Sequence, residues 1–171
     1  PGVLLMAALT PFIMPLIDES QRSRFEFNTY VYGDSGSGKS AITKLLVDYF
    51  EGSPNIINLH SNKSEIDKIF EYKHCCVAID DLCGTDSNRE RENNEQKLSE
   101  NLKRVQTPGQ IVRDGKRIKN ESMLFVTGEY LLKSSSTLNR CLVVNLKDPI
   151  PPKEINKLCR NKDQYLEMVR C

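Results

Sequence analysis

Gly33-Asp34-Ser35-Gly36-Ser37-Gly38-Lys39-Ser40 fits the eight-position pattern GxxxxGK[ST] at every fixed position. Glycines 33, 36 and 38 let the backbone turn its N–H groups inward without Cβ clashes, which makes a concave nest for phosphates. In this reading Lys39 reaches the β- and γ-phosphates of a nucleoside triphosphate and the Ser40 hydroxyl is a Mg²⁺ ligand. Gly33, Asp34, Ser35, Gly36, Ser37, Gly38, Lys39, Ser40 and the following Ala41 form the candidate nucleotide-binding segment. The flanks agree: residues 25–32 alternate like a strand, and Ala41 to Phe50 has helical spacing. A strand running through such a loop into a helix aims the helix N-terminus at the anion. The rival reading, a flexible Gly/Ser linker, explains neither flank.

A chain of 171 residues fits one α/β domain with a sizeable core. With 39% hydrophobic and 27% charged residues and a net charge of +1, composition neither demands nor excludes a nucleic-acid partner. Six cysteines show no paired metal spacing, and Cys75 and Cys76 adjoin within an apolar run, so reduced thiols in a cytoplasmic protein are expected rather than a disulfide framework. The apolar start, Pro1 to Leu9, has no basic flank, and Pro11, Pro15 and Asp18 break it before it could span a bilayer. It is expected to form a buried helix, and the absence of an initiator Met suggests a fragment of a longer protein. Residues 1–24 are a preface, 25–148 a core, and 149–171 a Pro-rich exit with a helix from about Lys153 to Met168.

Downstream of the loop, Ile56 to Leu59 reads as a short strand and Ser64 to Phe70 as a short helix. His74 to Ile79 is a continuous apolar run ending in Asp80-Asp81, as expected for a strand buried on both faces. Apolar strand plus paired acids is a Walker B pattern: Asp80 would hold Mg²⁺ through water, and Asp81 would orient and deprotonate the attacking water. His60 and His74 lack a second ligand at metal spacing and read as ordinary histidines. Residues 86–105 look like a solvated loop leading into an amphipathic helix carrying Leu98, Leu102 and Val105.

Residues 110–113 and 116–119 flank Asp114-Gly115, a signal for a two-residue hairpin turn. Lys103 to Lys119 holds six basic residues and one acid, a local concentration of positive charge in a nearly neutral chain. Arg113, Lys116, Arg117 and Lys119 are candidates for contact with nucleic-acid phosphates. The same charges would equally keep an exposed hairpin from edge-to-edge pairing. Met123 to Val126 is a further buried strand ending in Thr127-Gly128-Glu129, and residues 141–146 form the last strand, with Arg140 just before it.

Walker A, Walker B, a basic hairpin before the next strand, a polar residue ending that strand and an Arg opening the last one follow the order found in AAA+ ATPases. The chain resembles in particular the helicase-like AAA+ proteins with a hairpin inserted before sensor 1: MCM-type and superfamily 3 replicative helicases, and the MCM-like helicases of bacterial mobile elements and prophages. The string Phe125-Val126-Thr127-Gly128-Glu129 looks closest to the mobile-element group. The resemblance implies a three-layer α/β/α fold with a mostly parallel sheet and an inserted β-hairpin. It also implies ATP and Mg²⁺ as cofactors, a hexameric ring, and single-stranded DNA as partner, without a membrane. Thr127, or alternatively Glu129, would be sensor 1; Lys116 and Arg117 would lie at the hairpin tip; Arg140 would be an arginine finger, its structural alternative being a surface salt bridge. Asp81 stands where most AAA+ proteins have Glu, and a full lid with a sensor 2 Arg is not recognisable. The expected activity is ATP hydrolysis driving a helicase. Two rivals are a nucleotide-gated switch or loader and a small-molecule kinase.

Overall fold

The computed structural model describes residues 2–18, 20, 27–51, 56–58, 67, 69, 73–82, 87–106, 111–113, 116–118 and 121–161. Helix α1 (Gly2–Ile13) runs into a 3₁₀ turn (Met14–Leu16). Then come β1 (Asn28–Tyr32), α2 (Lys39–Glu51), β2 (Ile56–Asn58), β3 (Lys73–Leu82) and α3 (Asn88–Gln106). The chain continues through β4 (Ile111–Arg113), β5 (Lys116–Ile118), β6 (Glu121–Gly128), α4 (Ser135–Leu138), β7 (Cys141–Asn145) and α5 (Pro152–Arg160).

Five strands make one sheet in the order β2-β3-β6-β1-β7, with every pairing parallel. Parallel strands are covered on both faces, so both sets of alternating side chains must be apolar. In β3, Cys75, Val77 and Ile79 join one core while Cys76 and Ala78 join the other. β6 divides likewise, Leu124 and Val126 against Met123 and Phe125, and β1 sends Tyr30 to the first core and Val31 to the second. Helix α3 closes the first face with Leu98, Leu102 and Val105, one stripe at helical spacing, each at most 2% exposed. Burial of each such side chain stabilises the fold by about 1.5–3 kcal/mol. Helices α1 and α2 close the second face with Leu4, Ala7, Ala8 and Val47. The result is the expected three-layer sandwich, its large sheet parallel throughout.

Three elements differ from expectation. Helix α1 is buried on one face only: Val3, Leu5 and Met6 are 55%, 49% and 61% exposed. Helix α3 already begins at Asn88, where the sequence suggests loop, because Ser87 starts it, its Oγ accepting from Glu90 N at 3.3 Å and its carbonyl from Arg91 N. The small polar run 134–137, to which the sequence assigned no element, forms the one-turn helix α4, capped by Ser134, which accepts from Thr137 N. The hairpin forms as expected, β4 and β5 antiparallel with Arg113 opposite Lys116 and Val112 opposite Arg117. Its turn residues and Lys119 lie outside the described residues, as do most of residues 59–72 and everything beyond Asn161. Cys75, Cys76, Cys141 and Cys159 are thiols, as expected. Among the described residues no helix is long and apolar enough to cross a membrane.

Candidate functional site

The sheet order decides where chemistry can gather. β6 lies between β1 and β3, so the ends of these three parallel strands meet at one edge: the loop after Tyr32, the turn after Gly128 and the acids of β3. Backbone bonds lock this edge, Gly33 N to Gly128 O at 3.2 Å and Glu129 N to Leu82 O at 3.1 Å. Ligand crevices in open α/β sheets form at carboxyl edges of this kind.

The phosphate loop has the conformation its glycines were expected to permit. Gly36 and Gly38 take φ of 75° and 91°, the left-handed region that side chains disfavour. Gly33 is needed for a different reason: a Cβ there would sit 2.5 Å from the carbonyl oxygen of Leu146. The α2 ladder begins with Ile42 N to Gly38 O, so the N–H groups of Lys39, Ser40 and Ala41 precede it and remain directed at the loop, with the positive end of the helix dipole behind them. Lys39 is buried, and its Nζ donates to Gly33 O at 2.9 Å, Asp34 O at 2.7 Å and Ser37 Oγ at 3.5 Å.

Two hydroxyls converge on one carboxylate oxygen: Ser40 Oγ donates to Asp80 Oδ1 at 2.9 Å, and Thr127 Oγ1 donates to the same atom in a shorter contact. Together with Lys39 and Glu129 they line a cleft of about 300 Å³ between the loop and the strand ends, at the lower end of the usual size of small-molecule sites. Ser40 and Asp80 are hard oxygen donors, the type that suits Mg²⁺ when phosphates complete its shell. Asp81 follows in β3, but its side chain lies outside the described residues. Thr127 and Glu129 both face the cleft; Thr127 is the one bonded to Asp80.

Arg140 is not brought to this cleft. Its backbone carbonyl accepts from Asn28 N at 2.9 Å, which places it at the amino end of β1 and β7, with the loop at the other end. A five-residue strand spans roughly 16 Å, so Arg140 cannot serve its own chain's cleft. Its guanidinium donates to the carbonyl and, at 3.0 Å, to the hydroxyl of Ser136. The side chains of Arg113, Lys116 and Arg117 lie outside the described residues.

Three features escaped the sequence reading. The chain leaving β7 folds over the loop: Ile150 N donates to Ser37 O at 3.0 Å, and the Ile155 side chain comes within 3.1 Å of where a Gly38 Cβ would be. The paired prolines at 151–152 signalled a stop without revealing what it rests on. Glu95, 8% exposed within a helix that reads as solvated, accepts from Lys133 N at 2.9 Å and Ser134 N at 3.2 Å. Tyr30, fully buried in β1, donates from its hydroxyl to Tyr130 O at 2.6 Å.

Comparison with known proteins agrees with this architecture. An X-ray structure of JCV helicase is similar to this chain with a TM-score of 0.52 at 12% identity, over 96% of this chain and 51% of that one. The chain thus spans about half the length of that protein, and the likeness is one of fold. No curated protein matches. The model of the family described as novel STAND NTPase 3 matches residues 28–144, from the first residue of β1 to the penultimate residue of β7. The chain, a P-loop NTPase by fold and by loop, belongs to the novel STAND NTPase 3 family.

Proposed function

We propose that this chain is the ATP-hydrolysing core of a DNA motor of the AAA+ group with a hairpin before sensor 1, serving replication of a mobile element or virus. The observation that carries the reading is the convergence of Ser40 and Thr127 on Asp80 beside the Lys39 loop. The loop N–H groups and Lys39 bind and orient the β- and γ-phosphates, turning an encounter into a fixed in-line geometry. Ser40 directly and Asp80 through water would hold Mg²⁺, which when bound neutralises charge on the phosphate oxygens. Asp81 would take the proton of the attacking water. Thr127, as sensor 1, holds Asp80 and faces the γ-phosphate position from the strand between the two motifs.

Arg140, excluded from its own cleft, would act on the cleft of a neighbour and stabilise charge developing on the transferred phosphoryl group. That requires a ring, taken as hexameric, with Lys116 and Arg117 of each hairpin moving along single-stranded DNA. A second reading, a nucleotide-gated switch or loader without strand separation, is favoured by the contact of Ile150 and Ile155 with the phosphate loop. Any movement of the loop on binding nucleotide reaches α5 directly.

Steady-state ATP turnover against protein concentration, with and without single-stranded DNA, tests these readings. Turnover per subunit that rises with both, and is lost in Lys39→Ala and Arg140→Ala, is expected of the motor. Turnover that ignores DNA and survives Lys116→Ala with Arg117→Ala assigns the switch. No hydrolysis of any nucleoside triphosphate by the wild-type protein overturns the motor, and no binding of any overturns both.

A further inference from the structure

The Thr127-Gly128-Glu129 turn carries two cleft residues, yet what fixes its height lies underneath it, on the α3 side of the sheet. Tyr30 stands in the strand next to β6, where its Cα is in register with Val126, and its ring rises along the sheet to the turn. The hydroxyl lies where a Cβ on Gly128 would be, and the ring carbon bearing it would be 2.9 Å away. That hydroxyl donates to Tyr130 O at 2.6 Å. Burial raises its pKa above the ordinary tyrosine range, so it stays a donor at any working pH.

The segment that follows this turn is held from α3. Glu95 accepts the N–H groups of Lys133 and Ser134 through one carboxylate oxygen, and Arg91 lies over the Tyr130 ring, 5.1 Å from its centroid. Leu132 between them is 3% exposed. The segment after β6 is therefore gripped by a strand hydroxyl at one end and a helix carboxylate at the other. Above it Thr127 meets Asp80, and Glu129 N meets Leu82 O.

We propose that Tyr30 is a positioning residue for nucleotide hydrolysis: its hydroxyl, wedged beneath Gly128 and bonded to the Tyr130 carbonyl, sets the height of the Thr127–Glu129 turn and so the meeting of Thr127 with Asp80. The inference rests on the hydrolytic reading of the cleft. Tyr30 touches neither Lys39 nor the loop N–H groups in any hydrogen bond of the structure, so its effect belongs to the chemical step and to Mg²⁺ use rather than to capture of the triphosphate. Glycine at 128 is required because the tyrosine oxygen fills the space a methyl group would take.

The test compares wild type, Tyr30→Phe, Gly128→Ala and the double variant by kcat, KM for ATP, the Mg²⁺ concentration giving half-maximal rate, and thermal melting. Tyr30→Phe, which removes one oxygen, is expected to lower kcat about fivefold, the equivalent of one hydrogen bond. Its KM should be unchanged within about twofold and its Mg²⁺ requirement higher. Gly128→Ala is expected to lose more, and Tyr30→Phe in the Gly128→Ala background to restore part of the rate, because the nearest clashing atom is gone and the ring edge, at 2.9 and 3.0 Å, has only a small distance to give. Wild-type kcat and Mg²⁺ dependence in Tyr30→Phe, or strictly multiplicative losses in the double variant, would overturn the positioning role. Should Tyr30→Phe prove too unstable to assay, Gly128→Ala reads the same contact from its other side, and unaltered kcat and Mg²⁺ dependence there overturn the role equally. Absence of turnover in the wild type defeats the hydrolytic reading itself, an outcome distinct from normal wild-type turnover that Tyr30→Phe leaves intact.

Discussion

Ser40 and Asp80, 40 positions apart in sequence, meet through a 2.9 Å hydrogen bond across the mouth of the cleft. The contact exists because only β6 stands between β3, which carries Asp80, and β1, whose end leads through the loop into α2 and Ser40. In the proposed reading this serine hydroxyl and carboxylate would supply half of a site for a hard cation, and the phosphates the rest.

Asp80→Asn should therefore separate nucleotide capture from hydrolysis. The amide keeps an oxygen near Ser40 but loses the charge that attracts Mg²⁺. Turnover is expected to fall about a hundredfold or more, while fluorescent-nucleotide binding in EDTA stays near wild type. Equal binding and equal turnover at all Mg²⁺ concentrations would refute the assignment.

Lys39→Ala should act on capture itself. The ammonium makes three bonds within the loop and is the one cation lining the cleft among the described residues. Charged hydrogen bonds to phosphate contribute about 1.5–3 kcal/mol each, so triphosphate affinity measured by calorimetry should drop at least about tenfold.

The loop glycines should not be equivalent. An alanine at position 36 meets open space and bears only the left-handed backbone cost, about 1–2 kcal/mol. At position 33 the methyl meets a backbone carbonyl at 2.5 Å, which cannot rotate away, and β7 has to shift from the loop. Melting temperatures should order wild type above Gly36→Ala above Gly33→Ala.

Cys141 offers a pH readout of the β7 edge. Burial pushes its thiol from the usual 9.0 up to about 12, with Arg140 pulling weakly the other way. A folded-state value above the unfolded one means that its stabilising contribution is complete below about pH 9 and is lost as pH climbs towards 12. In iodoacetamide labelling followed by mass spectrometry at mildly alkaline pH, exposed Cys159 should react first and Cys141 should lag until the protein unfolds.

Arg140→Ala and Lys39→Ala, each inactive alone in the ring reading, should regain turnover when mixed. A junction between one intact loop and one intact arginine then exists in the mixed assembly. Failure of any mixture to recover activity would remove Arg140 from the reaction and leave it as the partner of Ser136.

The loop, the two-sided core strands and the hairpin were legible because each is a local pattern. Glycine spacing dictates the nest, continuous apolar runs dictate burial on both faces, and Asp-Gly dictates a two-residue turn. Pairings between distant segments were not legible. Nothing in Glu95 distinguishes it from the neighbouring exposed Glu92, because only the returning segment 132–134 gives it donors. Tyr30 and Gly128 read as a β-former and a turn residue, and their mutual exclusion of space appears only once β1 and β6 lie side by side. Helix α1 was legible as apolar but not as half-exposed, since periodicity is lost when nearly every residue is hydrophobic.

The place of β1 between β6 and β7 also constrains how the molecule assembles. Its two neighbours, β6 and β7, are made long after it: Thr29 pairs with Phe125 on one side and Leu142 on the other. Such non-local parallel pairing is slow, because loop-closure entropy precedes any reward. During synthesis β1 would wait with Tyr30 and Val31, both fully buried in the folded chain, uncovered until the last two strands flank it. The phosphate loop would gain its flanking contacts at the same stage, since Gly128, which accepts from Gly33 N, and Leu146, which lies against Gly33, arrive with those strands. Nucleotide thus finds its grip only on a finished sheet, and binding would reward completion of the fold rather than guide its early steps.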